Sequence, residues 1–315
     1  MKKLVLASAI IFTLMGCSDS SNDPFPNRDI EIIIPYNAGG GFDAYARSLA
    51  QYMEKYLPEE INILPINMPG AGGRRGASHV YRADPDGYTI GIFNMPGILL
   101  PQIQGVKINY DVNLLTWLST LSIDGYGIIV DDESPINSIE DMKNLGRPVV
   151  YGATGPSSTS YIATTIISTA LEIPYEVITG YKGSGEYILG VIRGDVDAAF
   201  ANYSTIQPYL ETGDIKLAAV IGVDSDDPNV MDANDLGVPE LSNIKIVRMM
   251  AGPPEMPDDI RNTLEQAMLS ALSDEDFKAW LDATGNDVYP ANSVDTMTAV
   301  GEMSAFYDKF KEFLD

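Results

Sequence analysis

Short apolar runs alternate with stretches in which apolar residues recur at helical spacing, through the first third of the chain. Buried strands are predicted over residues 28–35, 61–66 and 88–93, where apolar residues cluster. Apolar residues at helical spacing predict helices over 42–56 and 75–83, each after a glycine-rich turn. Strand, turn, helix and strand in this order predict an α/β layer built on a mostly parallel sheet.

The middle of the chain begins the same plan again. Helices there are expected to end near residues 171 and 192, and three more follow a late strand. Strands are predicted over 126–130, 148–151, 175–178, 196–200, 215–221 and 244–250. Two units of similar plan predict a two-lobed α/β fold, with two mostly parallel sheets flanked by helices and a ligand cleft between the lobes.

The order of the elements also divides the chain into lobes. We assign residues 29–123 together with 223–315 to a first lobe, and residues 124–222 to a second lobe. The chain therefore crosses between lobes twice, and we expect the hinge near residues 122–126 and 221–223. A hinge of this kind lets two lobes close on a ligand.

The first 28 residues follow a different pattern. Lys2 and Lys3 precede an apolar run that is too short to span a bilayer, and Cys17 then follows as the only cysteine. These features are typical of a secretory signal, and a cysteine directly after the cut resembles the lipidation site of bacterial lipoproteins. We predict a signal peptide over 1–16, lipid on Cys17, a tether over 17–28, and a location in the cell envelope, anchored on the extracytoplasmic side of a membrane. A cysteine placed there by chance is the alternative.

The charge balance narrows the class of partner. The chain has 44 acidic and 20 basic residues, a formal net charge of −24 at pH 7. Nucleic acid is excluded as a partner, because phosphate binding needs a basic surface. The acid excess also opposes adsorption to anionic lipid, so anchoring falls to the lipid on Cys17. Any site for an anion must be local.

Candidate binding chemistry lies in turns that follow strands and open helices, among them residues 36–41, 67–73 and 152–160. Backbone N–H groups point outward at a helix start, and the helix dipole favours negative charge there. Glycine lets a ligand approach those donors, and ligands of open α/β sheets bind beyond the carboxyl ends of strands. The pattern predicts an anion-binding cleft. Glycines that only permit tight turns are the alternative.

Arg74 and Arg75 stand in a first helical turn, where each cation opposes the helix dipole by ~0.3–1 kcal/mol. An anionic ligand would compensate for this, and a surface salt bridge is the alternative. A dinucleotide site is disfavoured, because Gly70, Gly72 and Gly76 miss the G-x-G-x-x-G spacing by one residue.

Little in the sequence supports catalysis. His79 is the only histidine and stands in mid-helix, no His, Cys, Asp or Glu cluster has metal-ligand spacing, and no G-x-S-x-G motif is present. We therefore predict a protein that is not an enzyme and that has no cofactor and no metal site.

Several stretches resemble one known family in the family's own order. They are residues 35–43 with 46–47, residues 67–73 with 76–77, and residues 84–89, 181–185 and 194–197. The family is that of the substrate-binding proteins of tripartite tricarboxylate transporters, also called Bug receptors. The resemblance covers essentially the whole mature chain. It implies a two-lobed receptor with a fold of the periplasmic binding protein type II kind. The receptor is expected to be a monomer that closes on a small organic carboxylate and delivers it to membrane permease subunits.

The resemblance also implies a set of site residues. Backbone donors of the first two turns would hold one carboxylate, and a serine-rich helix start in the second lobe would hold the other end. Asp43 would structure its turn rather than touch the anion. The implied ligand-binding residues are Tyr36, Asn37, Ala38, Gly39, Gly40, Gly41, Gly72, Gly73, Asn94, Met95, Ser157, Ser158, Thr159, Asn202 and Tyr203, to which charge adds Arg74 and Arg75.

The chain departs from the family at three places. Arg74 and Arg75 replace an asparagine and a small or apolar residue, residues 94–96 replace small hydroxyl residues, and Ala201 replaces an acidic residue. We hypothesise that the arginines favour a di- or tricarboxylate. Two alternatives stay open: a carboxylate-sensing lipoprotein with a signalling partner, and an exported enzyme that uses the same cleft.

Overall fold

The computed structural model describes residues 24–155, 158–223 and 227–311. Ten strands and ten helices are found in these ranges. The strands are β1 (Ile30–Ile34), β2 (Ile63–Asn67), β3 (Thr89–Met95), β4 (Thr116–Asp124), β5 (Tyr126–Asp131), β6 (Val149–Ala153), β7 (Tyr175–Thr179), β8 (Ala198–Asn202), β9 (Ile215–Ile221) and β10 (Ile246–Gly252). The helices are α1 (Gly41–Met53), α2 (Arg74–Tyr81), α3 (Leu100–Ile103), α4 (Ile139–Lys143), α5 (Thr159–Ala170), α6 (Ser184–Ile192), α7 (Tyr203–Thr212), α8 (Asp258–Ser273), α9 (Glu275–Ala283) and α10 (Ser293–Asp308).

The strands form two five-stranded sheets, in the orders β2-β1-β3-β10-β4 and β7-β6-β8-β5-β9. The predicted α/β fold with two sheets is confirmed. Each sheet is mixed rather than mostly parallel, since two of its pairings are parallel and two are antiparallel. The physical reason is that β10 and β5 arrive from the other sheet, without the helical crossover that parallel neighbours need.

The chain crosses between the sheets at Gly125 and begins its second crossing at Gly222, after β9. A Cβ added at Gly125 would lie 2.6 Å from the carbonyl oxygen of Ile221, and one added at Gly222 would lie 2.6 Å from that of Ile244. Real Cβ atoms do not come so close to backbone, so only glycine lets the two crossings touch. The predicted hinge ranges coincide with these two contacts.

The first sheet is buried on both faces. In β1, Ile30, Ile32, Ile33 and Ile34 are each at most 1 % exposed, as expected for a strand covered on both sides. Helices α1, α8 and α9 cover one face, where Tyr45 packs edge-on against Phe277 at 5.7 Å. This packing holds the end of β1, and therefore the start of α1, in a rigid frame.

Several expected features lie outside the described residues: the signal peptide over 1–16, Cys17 and most of the tether. Within the ranges given above, no helix is long and apolar enough to cross a membrane. The hydrophobic pattern did not predict β4, α3, α4 or α7.

Candidate functional site

Asp43 fixes the turn between β1 and α1. Its Oδ2 accepts a hydrogen bond from the Gly39 N–H (2.8 Å), and its Oδ1 accepts from Asn67 Nδ2 (2.8 Å) and from Arg47 Nε (2.8 Å). Asn67 ends β2 and also donates to the carbonyl of Tyr36 (3.1 Å). One carboxylate therefore holds the turn after β1 against the end of the neighbouring strand.

The pKa of Asp43 lies below its ordinary value. Burial acts to raise it, but the hydrogen bonds from Gly39 and Asn67, together with the charge of Arg47, outweigh burial. Asp43 is therefore ionised at neutral pH, and its carboxylate accepts hydrogen bonds from its own turn. Residues 37–40 are exposed, and Gly40 caps α1 without a side-chain hydrogen bond. Within the described part of the chain, the first-turn N–H groups of α1 thus have no side-chain acceptor.

The second turn has an unusual backbone. Gly70, Ala71, Gly72 and Gly73 all have positive φ, at 139°, 50°, 64° and 93°. Left-handed backbone costs roughly 1–2 kcal/mol for a residue with a side chain such as Ala71. The Gly73 N–H closes the turn on the carbonyl of Gly70 (3.1 Å). Helix α2 then begins, again without a side-chain cap.

The two turns pack against each other through glycine. A Cβ on Gly76 would lie 2.9 Å from two side-chain atoms of Pro35, and one on Gly73 would lie 3.4 Å from the Tyr36 ring and hydroxyl. The Tyr36 hydroxyl in turn accepts a hydrogen bond from the Asn94 N–H (2.8 Å). The starts of α1 and α2 and the end of β3 therefore form one group.

Asn94 also links this group to the second sheet. Its Nδ2 donates to Oγ1 of Thr159, the first residue of α5, at 3.3 Å. Ser158 caps α5 by accepting from the Tyr161 N–H (3.2 Å), and its hydroxyl donates to the carbonyl of Gly155 (2.7 Å). The start of α5 thus meets the group from the first sheet. Ser157 lies outside the described residues.

The other predicted site residues of the second sheet lie at the crossing. Asn202 ends β8 opposite Tyr126 and is half-buried. The N–H of Tyr203 donates to the carbonyl of Gly125 (3.0 Å). Met95 is fully buried in the core, on the face of β3 opposite Asn94. Its side chain therefore does not join the group around Asn94.

Arg74 is half-buried and Arg75 is exposed. Across the described part of the chain, no carboxylate oxygen lies within 4.0 Å of either guanidinium. Burial raises the pKa of the Tyr110 hydroxyl, and the nearby charge of Arg74 opposes this shift. The salt-bridge alternative for these arginines therefore finds no partner within the described ranges.

The sequence reasoning missed Arg248, a charged residue in the apolar strand β10. It is 3 % exposed, and Nη1 donates to Ser122 Oγ (3.0 Å). A lone arginine among isoleucine, valine and methionine was the available signal. Asp124, at the end of β4, is equally buried and accepts from the Ser204 N–H and hydroxyl. Burial raises the pKa of Asp124, while Ser204 and the charge of Arg248 oppose this.

A cavity of about 530 Å³ lies elsewhere, between the crossing strands and α10. Val247 and Met249 line it, so it is on the face of β10 opposite Arg248. It is separate from the glycine turns and is not part of the group described above.

Residues 45–310, more than half of the chain, match the family described as tripartite tricarboxylate transporter family receptor. The chain belongs to this family. The resemblance found in the motifs is thereby confirmed. A UPF0065 protein in the gbd 5' region of Cupriavidus necator is 28 % identical over 256 residues, covering 78 % of this chain and 76 % of that protein.

Two solved structures with bound ligands have a fold similar to that of this chain. MatC from Rhodopseudomonas palustris, with bound malate, has a TM-score of 0.78 at 21 % identity, covering 92 % of this chain and 100 % of that one. The R. palustris protein Rpa4515, with adipate, has a TM-score of 0.77 at 22 % identity, covering 92 % and 98 %. At these identities the likeness shows the fold. The predicted two-lobed fold of a periplasmic binding protein is confirmed.

Proposed function

We propose that this receptor binds a small organic carboxylate outside the cytoplasm, favouring di- or tricarboxylates, and delivers it to a tripartite tricarboxylate transporter permease. One observation carries the proposal: helix starts from both sheets meet. Close packing of Gly73 on Tyr36 and of Gly76 on Pro35 ties the start of α2 to the turn before α1, and the hydrogen bond from Asn94 to Thr159 (3.3 Å) brings in the start of α5.

The chemistry of these helix starts favours an anion. Neither Gly40 nor Gly73 caps its helix with a side chain, so first-turn N–H groups are available to a ligand. A carboxylate accepts several such hydrogen bonds at once. The malate bound to MatC and the adipate bound to Rpa4515 are carboxylates of this kind.

We assign the two ends of the ligand to the two sheets. The backbone of residues 37–41 and of residues 72–73 would hold one carboxylate. Residues 157–159, with Asn202 and Tyr203, would hold the other end from the second lobe. Residues 29–123 with 223–315 would form the first lobe, and residues 124–222 would form the second. The two lobes would close about the crossings at Gly125 and Gly222.

The remaining parts of the proposal concern location and partners. The signal peptide over 1–16 would direct export, and lipid on Cys17 would hold the receptor close to a membrane that carries the permease. A tether of this kind raises the effective concentration of the receptor at its partner. The receptor would act as a monomer.

A thermal-shift and calorimetry screen tests the ligand class. The full chain in mild non-ionic detergent is titrated with mono-, di- and tricarboxylates, and with sugars and amines. Binding to the native state stabilises it by mass action and so raises the melting temperature. The stabilisation is about 2.7 kcal/mol at a ligand concentration of 100 Kd. No response to any carboxylate, with a response to a sugar or an amine, would refute the proposal. Loss of carboxylate uptake from cells that lack the receptor tests delivery to a permease.

Arg74 and Arg75 give the proposal a second test. Because neither has a carboxylate partner within 4.0 Å in the described chain, we expect Arg74→Ala and Arg75→Ala to weaken binding of a tricarboxylate more than binding of a monocarboxylate. Calorimetry measures both affinities. Unchanged affinity for di- and tricarboxylates would remove the arginines from the site.

A further inference from the structure

Arg248 is a buried cation with few partners of its own. Among the residues that the structure describes, its side chain has one hydrogen bond, from Nη1 to Ser122 Oγ, and Nε has no hydrogen-bond partner. Within residues 24–155, 158–223 and 227–311, no carboxylate oxygen lies within 4.0 Å of the guanidinium. A charge that is removed from water without an ion pair is costly. A functional role would explain why this residue is a cation.

The guanidinium lies directly beneath the first turn of α1. Its carbon is 5.1 Å from the ring centroid of Phe42 and 5.6 Å from that of Tyr45. A Cβ placed on Gly41, the first residue of the helix, would lie 3.7 Å from Nη2 of Arg248. The positive end of the helix dipole and a buried positive charge therefore lie at the same place.

Nearby acidic groups do not neutralise this charge by direct contact. Asp124 is the acidic residue that most affects Arg248, and its carboxylate is already engaged by Ser204. Asp287 also acts on Arg248, but it is exposed to solvent. Asn94, opposite Arg248 in the strand register, has a buried Oδ1 that finds no hydrogen-bond partner among the described residues. Unpaired polar atoms on two neighbouring strands thus mark the floor of the site.

We propose that Arg248 is a positioning cation that makes the site selective for a charged carboxylate over a neutral group of the same shape, acting through the first turn of α1. The inference rests on the proposed function and deepens it, because it names the residue that distinguishes a charged ligand from a neutral one. Arg74 and Arg75 are partly or fully in water, where salt screens their charges. Arg248 is buried, so its field at the exposed turn of residues 37–40 persists in salt.

The test compares charge-changing variants by calorimetry on the full chain in mild detergent. The probes are adipate and malate, and adipamide, which is the neutral diamide of adipate; adipamide is measured by competition where its binding is weak. We expect Arg248→Gln to lower the affinity for adipate and malate by roughly tenfold and to leave that for adipamide nearly unchanged. Arg248→Lys, which keeps the charge, should retain most of the preference for adipate over adipamide.

Lys143→Gln is the matched control, since it removes one exposed positive charge in α4, outside the site. It should leave the ratio of adipate to adipamide affinity unchanged, whereas the effect of Arg248→Gln should persist in 0.5 M salt. A folded Arg248→Gln variant with the wild-type ratio of adipate to adipamide affinity overturns the inference alone. Failure of the wild type to bind any carboxylate refutes the proposed function instead, and the inference with it.

A second measurement covers the case in which Arg248→Gln does not fold. The Nε–H resonance of Arg248 is followed by ¹⁵N NMR in the wild type. Saturation with adipate should shift this resonance more than saturation with adipamide does. Equal shifts, or none, would overturn the inference.

Discussion

Asp43 offers the sharpest test of how the site is built. Replacing it with asparagine keeps the shape of the side chain but removes its charge and one acceptor atom. The hydrogen bonds from Gly39 and Asn67 can then no longer both be made, because the new amide nitrogen must face a donor. The turn after β1 should therefore loosen, although Asp43 itself need not touch a ligand.

The magnitude follows from the partners of the carboxylate. A hydrogen bond to a charged group contributes about 1.5–3 kcal/mol. The donor left without a partner adds little, because Gly39 is exposed and Asn67 is half-buried. Arg47 is 44 % exposed, so its ion pair with Asp43 adds little. We expect Asp43→Asn to cost about 2–3 kcal/mol, a fall in melting temperature of roughly 3–5 °C for a chain of this length.

The assay is thermal unfolding across pH, with Asp259→Asn as the matched control. Asp259 also stands in a first helical turn, that of α8, but it is exposed. The folded-state pKa of Asp43 lies below the ordinary value of 3.8, so its contribution is present above about pH 4. The contribution is lost as the pH falls through the folded-state pKa. The gap between wild type and Asp43→Asn should therefore be full at pH 7 and narrow below pH 4.

Two results would contradict this reasoning. Asp43→Asn could unfold at the same temperature as Asp259→Asn, or the gap could widen on acidification. Binding measurements then separate turn geometry from global stability. If the turn holds a carboxylate through its backbone, Asp43→Asn should weaken binding even at a temperature where it is fully folded.

Glycine positions supply the remaining predictions. Gly76→Ala should destabilise the protein by about 1–3 kcal/mol and weaken ligand binding, because its Cβ would meet Pro35 at 2.9 Å. Gly301 lies in a helix with open space around it, so Gly301→Ala should instead stabilise the protein by about 1 kcal/mol. Thermal unfolding of both variants checks this, and equal effects would contradict it. Gly125→Ala should push the crossings apart at the carbonyl of Ile221, and small-angle scattering should show a smaller change on ligand addition than in the wild type. An unchanged closure would show that this contact is not part of the hinge.

Local signals allowed much of the fold to be predicted from the sequence. Apolar runs bounded by turn residues placed β9 over the residues observed and the other predicted strands within a few residues. β4 was missed because Ser119, Thr120 and Ser122 interrupt its apolar pattern. These residues are buried all the same, since their polar groups find partners far along the chain, such as Ser119 Oγ on the carbonyl of Ala291 (2.8 Å).

The mixed character of the sheets could not be read from periodicity. A buried strand has the same pattern in either direction, and the direction of β5 and β10 depends on where the chain crosses between sheets. Arg248 was missed for the same reason. Its burial results from pairing with β3 and β4 and from α1 above it, none of which is near in sequence. Glycine turns, by contrast, are determined locally and were visible.

The two sheet orders make the two halves of the site equivalent. In the orders given above, β1 corresponds to β6 and β3 to β8, so the start of α1 corresponds to the start of α5. Asn94, the last residue but one of β3, therefore has its counterpart in Asn202, which ends β8. The start of α5 joins the group that contains the start of α1 through the hydrogen bond from Asn94 to Thr159, and two equivalent helix starts in one group favour a ligand with an acidic group at each end. A monocarboxylate satisfies only one of them, and this asymmetry is the physical reason to expect weaker binding of a monocarboxylate than of a dicarboxylate of matching length.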